Sequence, residues 1–490
     1  MPAHRAMPRL FACLVLAALP APSLLALELR DCRLEAQGPA PSVAARCGRL
    51  ELPENPADPD GRRIALAIAV VPALSARAAP DPLFLISGGP GQGARESFVP
   101  LLPALEAVNR SRDLVLVDQR GTGESAKLGC PGADEAFDDA EVDPSRLGQL
   151  ATECLRNLPG DPRFYTTSVA VRDLEAVRVA LGYEKLNLYG ASYGTRVAQH
   201  YLRRYPAQVR SLVLDGVVQP GLALGPALAL DAEHSLQRLF ADCRADGACS
   251  ARFGDPAERL ATLRAELAAA PRTVRIPDPL TAEVREERFG PGELAMTLRI
   301  LSYSPPGRAL LPFLLDRAVA GGDAGPLLAQ SLLIADQFDG MLARGMHNAV
   351  TCTEDLPFVD EAAVDRDALA ASYLGTRMLD GLLAMCAHWP RGEIDPDLRE
   401  ALATPVPALL LSGEVDPVTP PANGEAALAG FSAGRHFVFA GQGHVQLVQR
   451  CAQHLLRDFL EAGSAGTLDA GCLDRVRAPP FFLGVNGASP

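Results

Sequence analysis

The chain has 490 residues, 48% of them apolar, enough to bury a large core and to exclude a disordered polypeptide. Its 46 basic and 59 acidic residues leave a net charge of −13 with no long run of either sign. That balance argues against nucleic acid and anionic membrane as partners and for a small-molecule or peptide substrate.

Arg5 and Arg9 precede an apolar run from Leu10 to about Leu27, with small residues near Ser23 and Ala26. This is the layout of a secretory signal cleaved near residue 26. Pro20, Pro22 and the shortness of the run argue against stable membrane insertion, so the expected location is secreted or periplasmic. Export brings oxidised thiols. With Cys13 inside the signal, ten cysteines remain and fall into local pairs: Cys32 with Cys47, Cys130 with Cys154, Cys243 with Cys249, Cys352 with Cys386, and Cys451 with Cys472. Other connectivities stay open on sequence alone. No Cys-x-x-Cys occurs and the histidines lack ligand spacing, so neither a metal nor an organic cofactor is expected.

Three short apolar segments, Ile64 to Val71, Leu83 to Ile86 and Asp113 to Val117, read as buried parallel strands that end in glycine-containing turns. Ser168 to Leu181 has helical spacing. Leu186 to Tyr189, Ser211 to Leu214, Ala408 to Leu411 and His436 to Phe439 read as further strands. This alternation predicts an α/β fold with a doubly wound, mostly parallel sheet. From Gly216 to about Ala403 the chain is alanine- and leucine-rich, broken by Pro305-Pro306 and Gly321-Gly322, with no clear strand. The expected organisation is a signal over 1–26, a first core part over 27–215, a mainly helical cap insertion over 216–403, and a second core part over 404–490. Leu27 to Leu52 and the tail after Ala478 read as peripheral.

Gly190-Ala-Ser-Tyr-Gly194 places Ser192 between a strand and a helix, the context of a nucleophile elbow. Side chains two residues on either side of such a strained serine would collide, and glycine avoids this. A nucleophilic serine needs a histidine to take its proton and an acid to orient that histidine, in the chain order serine, acid, histidine. His444, in Gly441-Gln-Gly-His-Val445, lies in a loop directly after a strand; His436 opens a strand and His454 sits in a helical run. Asp416, in Leu411-Ser-Gly-Glu-Val-Asp-Pro-Val-Thr-Pro420, follows the preceding strand. Glu414 and Asp215 are its competitors, the latter also readable as a turn residue. Thr419 is expected to hydrogen-bond near the Asp416 carboxylate, to line the substrate side, or to cap the next helix. The oxyanion hole is expected from the backbone N–H of Tyr193 and from Gly88 or Gly89 in Ser87-Gly-Gly-Pro-Gly-Gln-Gly93.

These residues together resemble the secreted α/β-hydrolases of the prolyl and tripeptidyl aminopeptidase type. Ser87 to Gly91 is similar to that family's His-Gly-Gly-Pro-Gly loop, Asp118-Gln-Arg-Gly-Thr-Gly-Glu-Ser125 to its Asp-Gln-Arg-Gly-x-Gly segment, and Gly190 to Thr195 to its elbow. Leu411 to Pro420 and Gly443-His444 resemble its acid and histidine loops. Val350-Thr-Cys-Thr-Glu-Asp355 and Ala384-Met-Cys-Ala-His-Trp-Pro390 resemble cysteine-bearing segments of the tripeptidyl branch. Ser87 stands where the family usually has histidine, a departure that the tripeptidyl branch tolerates better. The resemblance implies an α/β-hydrolase fold and an aminopeptidase acting on peptides with a free N-terminus, releasing short peptides or single residues. Arg120 is expected to buttress the site.

The long stretch between Ser192 and Asp416 would form the cap that restricts access to a chain end. Glu354 and Asp355, beside Cys352, are the candidates for neutralising the substrate ammonium. The alternatives are an esterase or lipase with the same triad, since a fold does not set the leaving group, and a catalytically inactive binding protein on a degenerate hydrolase fold.

Overall fold

In the computed structural model, residues 27–35, 42–131, 143–278, 281–338 and 340–488 are described, and the signal-type segment lies outside them. The first strands are β1 (Arg30–Leu34), β2 (Val43–Pro53), β3 (Arg63–Val71), β4 (Leu83–Ile86), β5 (Leu114–Val117), β6 (Leu186–Ala191) and β7 (Val209–Asp215). Then come β8 (Arg272–Pro277), β9 (Val284–Phe289), β10 (Ala408–Gly413) and β11 (Gly434–Phe439). Nine of them form one sheet in the order β1-β2-β3-β5-β4-β6-β7-β10-β11. From β5 to β11 every neighbouring pair is parallel, and β4, β5 and β6 are buried along their whole length. Burial on both faces is why these segments read as unbroken apolar runs. Ile68, Phe84, Leu188 and Leu212 belong to the core on one face, and Leu85, Leu116, Val213 and Phe459 to that on the other.

Two expectations about the first strands are corrected. β3 runs antiparallel to β5, because a short β-branched run reports burial and not direction. Leu27 to Leu52 is no appendage: β1 and β2 extend the sheet as antiparallel strands.

The connection from β7 to β10 is the long insert. It carries the helices Pro226–Ala245, Pro256–Ala269, Pro291–Ser302, Pro305–Val319, Gly325–Phe338, Arg344–Val350 and Arg377–Cys386. Several begin with proline in the first turn, and Asp255 and Ser304 cap the backbone N–H groups of Ala257 and Gly307. The insert holds a core of its own around Leu236, Phe240, Phe253, Leu298 and Phe313. It also contains the antiparallel hairpin β8–β9, where no strand was expected. Val284-Arg-Glu-Glu-Arg-Phe289 is largely exposed and charged, so it gives no apolar run to read. Ala343, Met346, Ala349 and Val350 return to the sheet's core, which brings the next residues beside the elbow. The tail after Ala478 is likewise not peripheral: Phe481 and Leu483 pack on the insert's core and Phe482 N–H donates to Ala309 O at 3.1 Å.

Five disulfides join Cys32 to Cys47, Cys130 to Cys154, Cys243 to Cys249, Cys352 to Cys386 and Cys451 to Cys472. Two of them cluster around Trp389 and Leu150, tying the insert to the helix Pro144–Asn157. Among the described residues no helix is long and apolar enough to cross a membrane.

Candidate active site

Ser192 stands between the last residue of β6 and the helix Tyr193–Arg204 with φ 54° and ψ −124°, a backbone state that L-residues avoid and that only its surroundings enforce. The flanking glycines are required sterically. A Cβ on Gly190 would lie 2.7 Å from Gly194 C, and one on Gly194 would lie 2.6 Å from Ser87 O. The Ser192 N–H donates to Asp215 O at 2.9 Å, which fixes the elbow to the end of β7.

Asp416 and His444 come from the loops after β10 and β11. His444 Nδ1 lies 2.7 Å from Asp416 Oδ2, and both side chains are nearly sealed from solvent. Asp416 Oδ1 accepts from the N–H groups of Val418 (2.8 Å) and Thr419 (2.9 Å), and its Oδ2 accepts the Thr419 hydroxyl (2.8 Å). Of the readings for Thr419, the hydrogen bond to Asp416 is the one observed: the residue is fully buried and holds the acid, while the substrate-side and cap readings are corrected, Pro420 occupying the cap of the following helix. Burial pushes the His444 imidazole down, but the Asp416 carboxylate outweighs it and the net shift is upward. Gly216, at φ 68°, gives the ring room, since a Cβ there would sit 3.0 Å from His444 Cε1.

The two competitors for the acid have other tasks. Glu414 accepts from Gly441 N–H at 2.8 Å and props the loop before His444. Asp215 is fully buried and accepts from Tyr189 OH (2.6 Å), Gln446 N–H (2.8 Å) and Leu447 N–H (3.0 Å), so it anchors the backbone just after His444. Burial pushes its carboxyl up to about 6. Through its carbonyl and its carboxylate it ties the serine turn to the histidine loop.

Gly88 lies against Ser192: a Cβ there would be 2.9 Å from Ser192 Cβ and 3.4 Å from its Oγ. Among the described residues neither Gly88 nor Gly89 N–H meets an acceptor, and Tyr193, the first helical residue, has none within its helix. Gly89 and Gly91 adopt φ 105° and 108°. Ser87 Oγ donates to Gln92 O at 2.5 Å, and the insert supports the loop through Ala343 N–H to Gly91 O (2.9 Å) and His347 Nδ1 at 3.1 Å from Pro90 O.

Glu354 and Asp355 do come beside the elbow, on a π-helical turn over Thr351–Asp355, but both are fully buried. The expectation that both face the substrate is corrected, because most of their oxygens are used inside the protein. Glu354 accepts from Thr167 N–H (2.6 Å) and Thr167 Oγ1 (2.7 Å) and lies 3.6 Å from Arg196. Burial pushes its carboxyl up to about 7 against the pull of Arg196. Asp355 Oδ1 accepts from Arg196 (2.7 Å) and Leu224 N–H (3.0 Å), while Oδ2 has no partner. Gln119 donates to Tyr193 OH (3.3 Å), which lies 2.6 Å from Thr167 Oγ1, so the elbow helix and the insert share one buried polar chain. Arg120 buttresses this region through Asp173 at 2.6 and 2.7 Å.

Several residues around the site escaped the sequence reading. Tyr303 O accepts from His444 N–H at 2.9 Å and its ring meets the imidazole edge-on at 5.5 Å. Arg299, one turn earlier, has its Nη2 3.5 Å from the Tyr303 hydroxyl, and His347 contacts the glycine loop at Pro90 O. Asp231, on the helix Pro226–Ala245, is partly exposed, and burial pushes its carboxyl up to about 6, with His234 opposing and Asp416 adding to the shift. None sits in a motif, and the helix Pro226–Ala245 carries several other polar residues, so nothing in the sequence singles Asp231 out.

Profiles of known families match two parts of the chain: residues 81–264 match the alpha/beta hydrolase fold, and residues 371–472 match TAP-like protein. The chain is 30% identical to Carboxylesterase B of Mycobacterium tuberculosis over 77% of this chain and 76% of that protein. It is 28% identical to Serine protease Hip1 of the same organism, over 87% of each chain. With the Tripeptidyl aminopeptidase of Streptomyces coelicolor it shares 25% identity over 93% of this chain and 87% of that one. The chain belongs to the α/β-hydrolase family, in its TAP-like branch, and is a serine hydrolase.

Proposed function

We propose that this is an exported serine peptidase that cuts short peptides, tripeptides among them, from the free N-terminus of peptide substrates. Ser192 Oγ attacks the scissile carbonyl, His444 takes its proton and passes it to the leaving amine, and Asp416 holds Nδ1–H and stabilises the imidazolium. The N–H groups of Tyr193 and of Gly88 or Gly89 receive the oxyanion, and water then releases the acyl group from Ser192. The observation that carries the reading is the 2.7 Å contact of Asp416 with His444 on the loop that Asp215 ties back to the Ser192 turn. The insert over 216–403 acts as the cap that restricts access to a chain end. Five disulfides and the signal-type N-terminus support export. The names of Serine protease Hip1 and the Tripeptidyl aminopeptidase favour peptides; that of Carboxylesterase B supports a second reading, an ester hydrolase with the same triad.

Matched peptides with a free and an acetylated N-terminus, and a simple aryl ester, separate the two. The peptidase reading predicts cleavage of the free peptide with at least tenfold loss on acetylation. Better turnover of the aryl ester, with no effect of acetylation, supports the ester hydrolase instead.

A further inference from the structure

Arg299 lies on the insert helix Pro291–Ser302 and is partly exposed. Its guanidinium contacts are neutral: Nη1 to Met378 Sδ at 3.0 Å and Nη2 to Tyr303 OH at 3.5 Å. No carboxylate among the described residues pairs with it; Tyr303 foremost, with Tyr373, favours its charge against burial, and the net shift is upward, so the guanidinium is held charged. Most other arginines of the insert face an acid, as Arg317 does Asp323 and Arg366 does Asp380. A charged guanidinium whose neighbours are a thioether and a hydroxyl keeps donors for an anion, and an arriving carboxylate would add up to two charge-assisted hydrogen bonds.

Its position says which part of a substrate would bring that carboxylate. Tyr303 is wedged between Arg299 and His444, edge-on to the imidazole, and Arg299 acts electrostatically on His444 itself. It acts also on His347, which contacts Pro90 O of the glycine loop. Arg299 thus borders the space between the histidine loop and the glycine loop. In acyl transfer the histidine delivers its proton to the departing amine, so the leaving half of the substrate passes over His444.

We infer that Arg299 is a carboxylate-binding residue for the leaving-group side of the substrate. This rests on the peptidase reading above. The carboxylate is either the C-terminus of a short leaving fragment or an acidic side chain just beyond the scissile bond.

Two pairs of peptides that share the N-terminal sequence Ala-Ala-Ala test it. One pair compares a C-terminal alanine as free acid and as amide, the other compares glutamate and glutamine, both as amides. Wild type should favour the carboxylate member of at least one pair by about 30-fold in kcat/KM at low salt, and R299M should bring that ratio near one, with R299K between them. Preference confined to the first pair assigns the terminal carboxylate, and preference confined to the second assigns the side chain. Equal cleavage within both pairs by wild type overturns the assignment, as does a preference that survives in R299M. The comparison within wild type stands even if a variant fails to fold. No cleavage of any of the four peptides beside rapid aryl-ester turnover would instead overturn the peptidase reading.

Discussion

At the carboxyl end of the sheet the reacting groups are held mostly by neighbours close in sequence, whereas the buried acids of the insert are held by partners from distant parts of the chain. Ser192 is fixed by its own strained turn, by glycines that leave no room for a Cβ, and by the Asp215 carbonyl; Asp416 is gripped by two N–H groups and a hydroxyl within three residues of itself. Glu354 and Asp355 depend on Thr167, Arg196 and Leu224, none of them close in sequence. Locally determined geometry is both rigid and recorded in short motifs, while the insert's geometry exists only after assembly.

If that contrast is right, changes at the sheet end should abolish chemistry, and changes in the insert should act on stability and selectivity. The largest effect is expected from D416N, a fall in kcat of roughly 10⁴-fold through loss of the histidine's orientation and counter-charge. Because the Asp416 carboxylate raises the His444 pKa above its usual 6.5, the acid limb of the kcat/KM profile should lie above pH 6.5 in wild type and move to lower pH in D416N. A limb that stays in place would detach Asp416 from His444.

G194A comes next. Its Cβ would press against the carbonyl of Ser87 and the backbone of Ile86, so a stability loss of about 1–3 kcal/mol is expected together with a loss of activity, read by thermal unfolding and peptide hydrolysis. An active variant of unchanged Tm would contradict the steric account of the elbow.

E354Q should be the mildest. The folded carboxyl is raised to about 7 from 4.5, so its contribution to stability is fully present below pH 4.5 and is lost as pH rises through 7. A neutral amide does not suffer this loss. The unfolding free energy of E354Q relative to wild type should therefore improve by on the order of 2–3 kcal/mol between pH 4.5 and 8, a trend seen by denaturant titration at several pH values. A difference independent of pH would mean that Glu354 is ionised throughout.

The same contrast explains what the sequence made legible. Parallel strands buried on both faces read directly from Leu83 to Ile86 and Leu186 to Tyr189, and the elbow, acid and histidine were found because glycine sterics and fold order constrain them. The hairpin of Arg272–Pro277 and Val284–Phe289 escaped because its outer face is charged and exposed. The Thr419 bond to Asp416 was within reach because the two lie three residues apart in one loop, whereas the choice between that bond and the helix cap, which falls to Pro420, is set only by the loop's fold. Arg299 and Tyr303 carry no motif; their importance arises from the docking of one insert helix over His444.

The central claim is that Ser192 is the nucleophile. Intact-protein mass spectrometry after treatment with a fluorophosphonate tests it most directly. The account predicts one adduct per wild-type chain, mapped by peptide analysis to Ser192, and none on a folded S192A variant. An adduct of equal extent on S192A would contradict it.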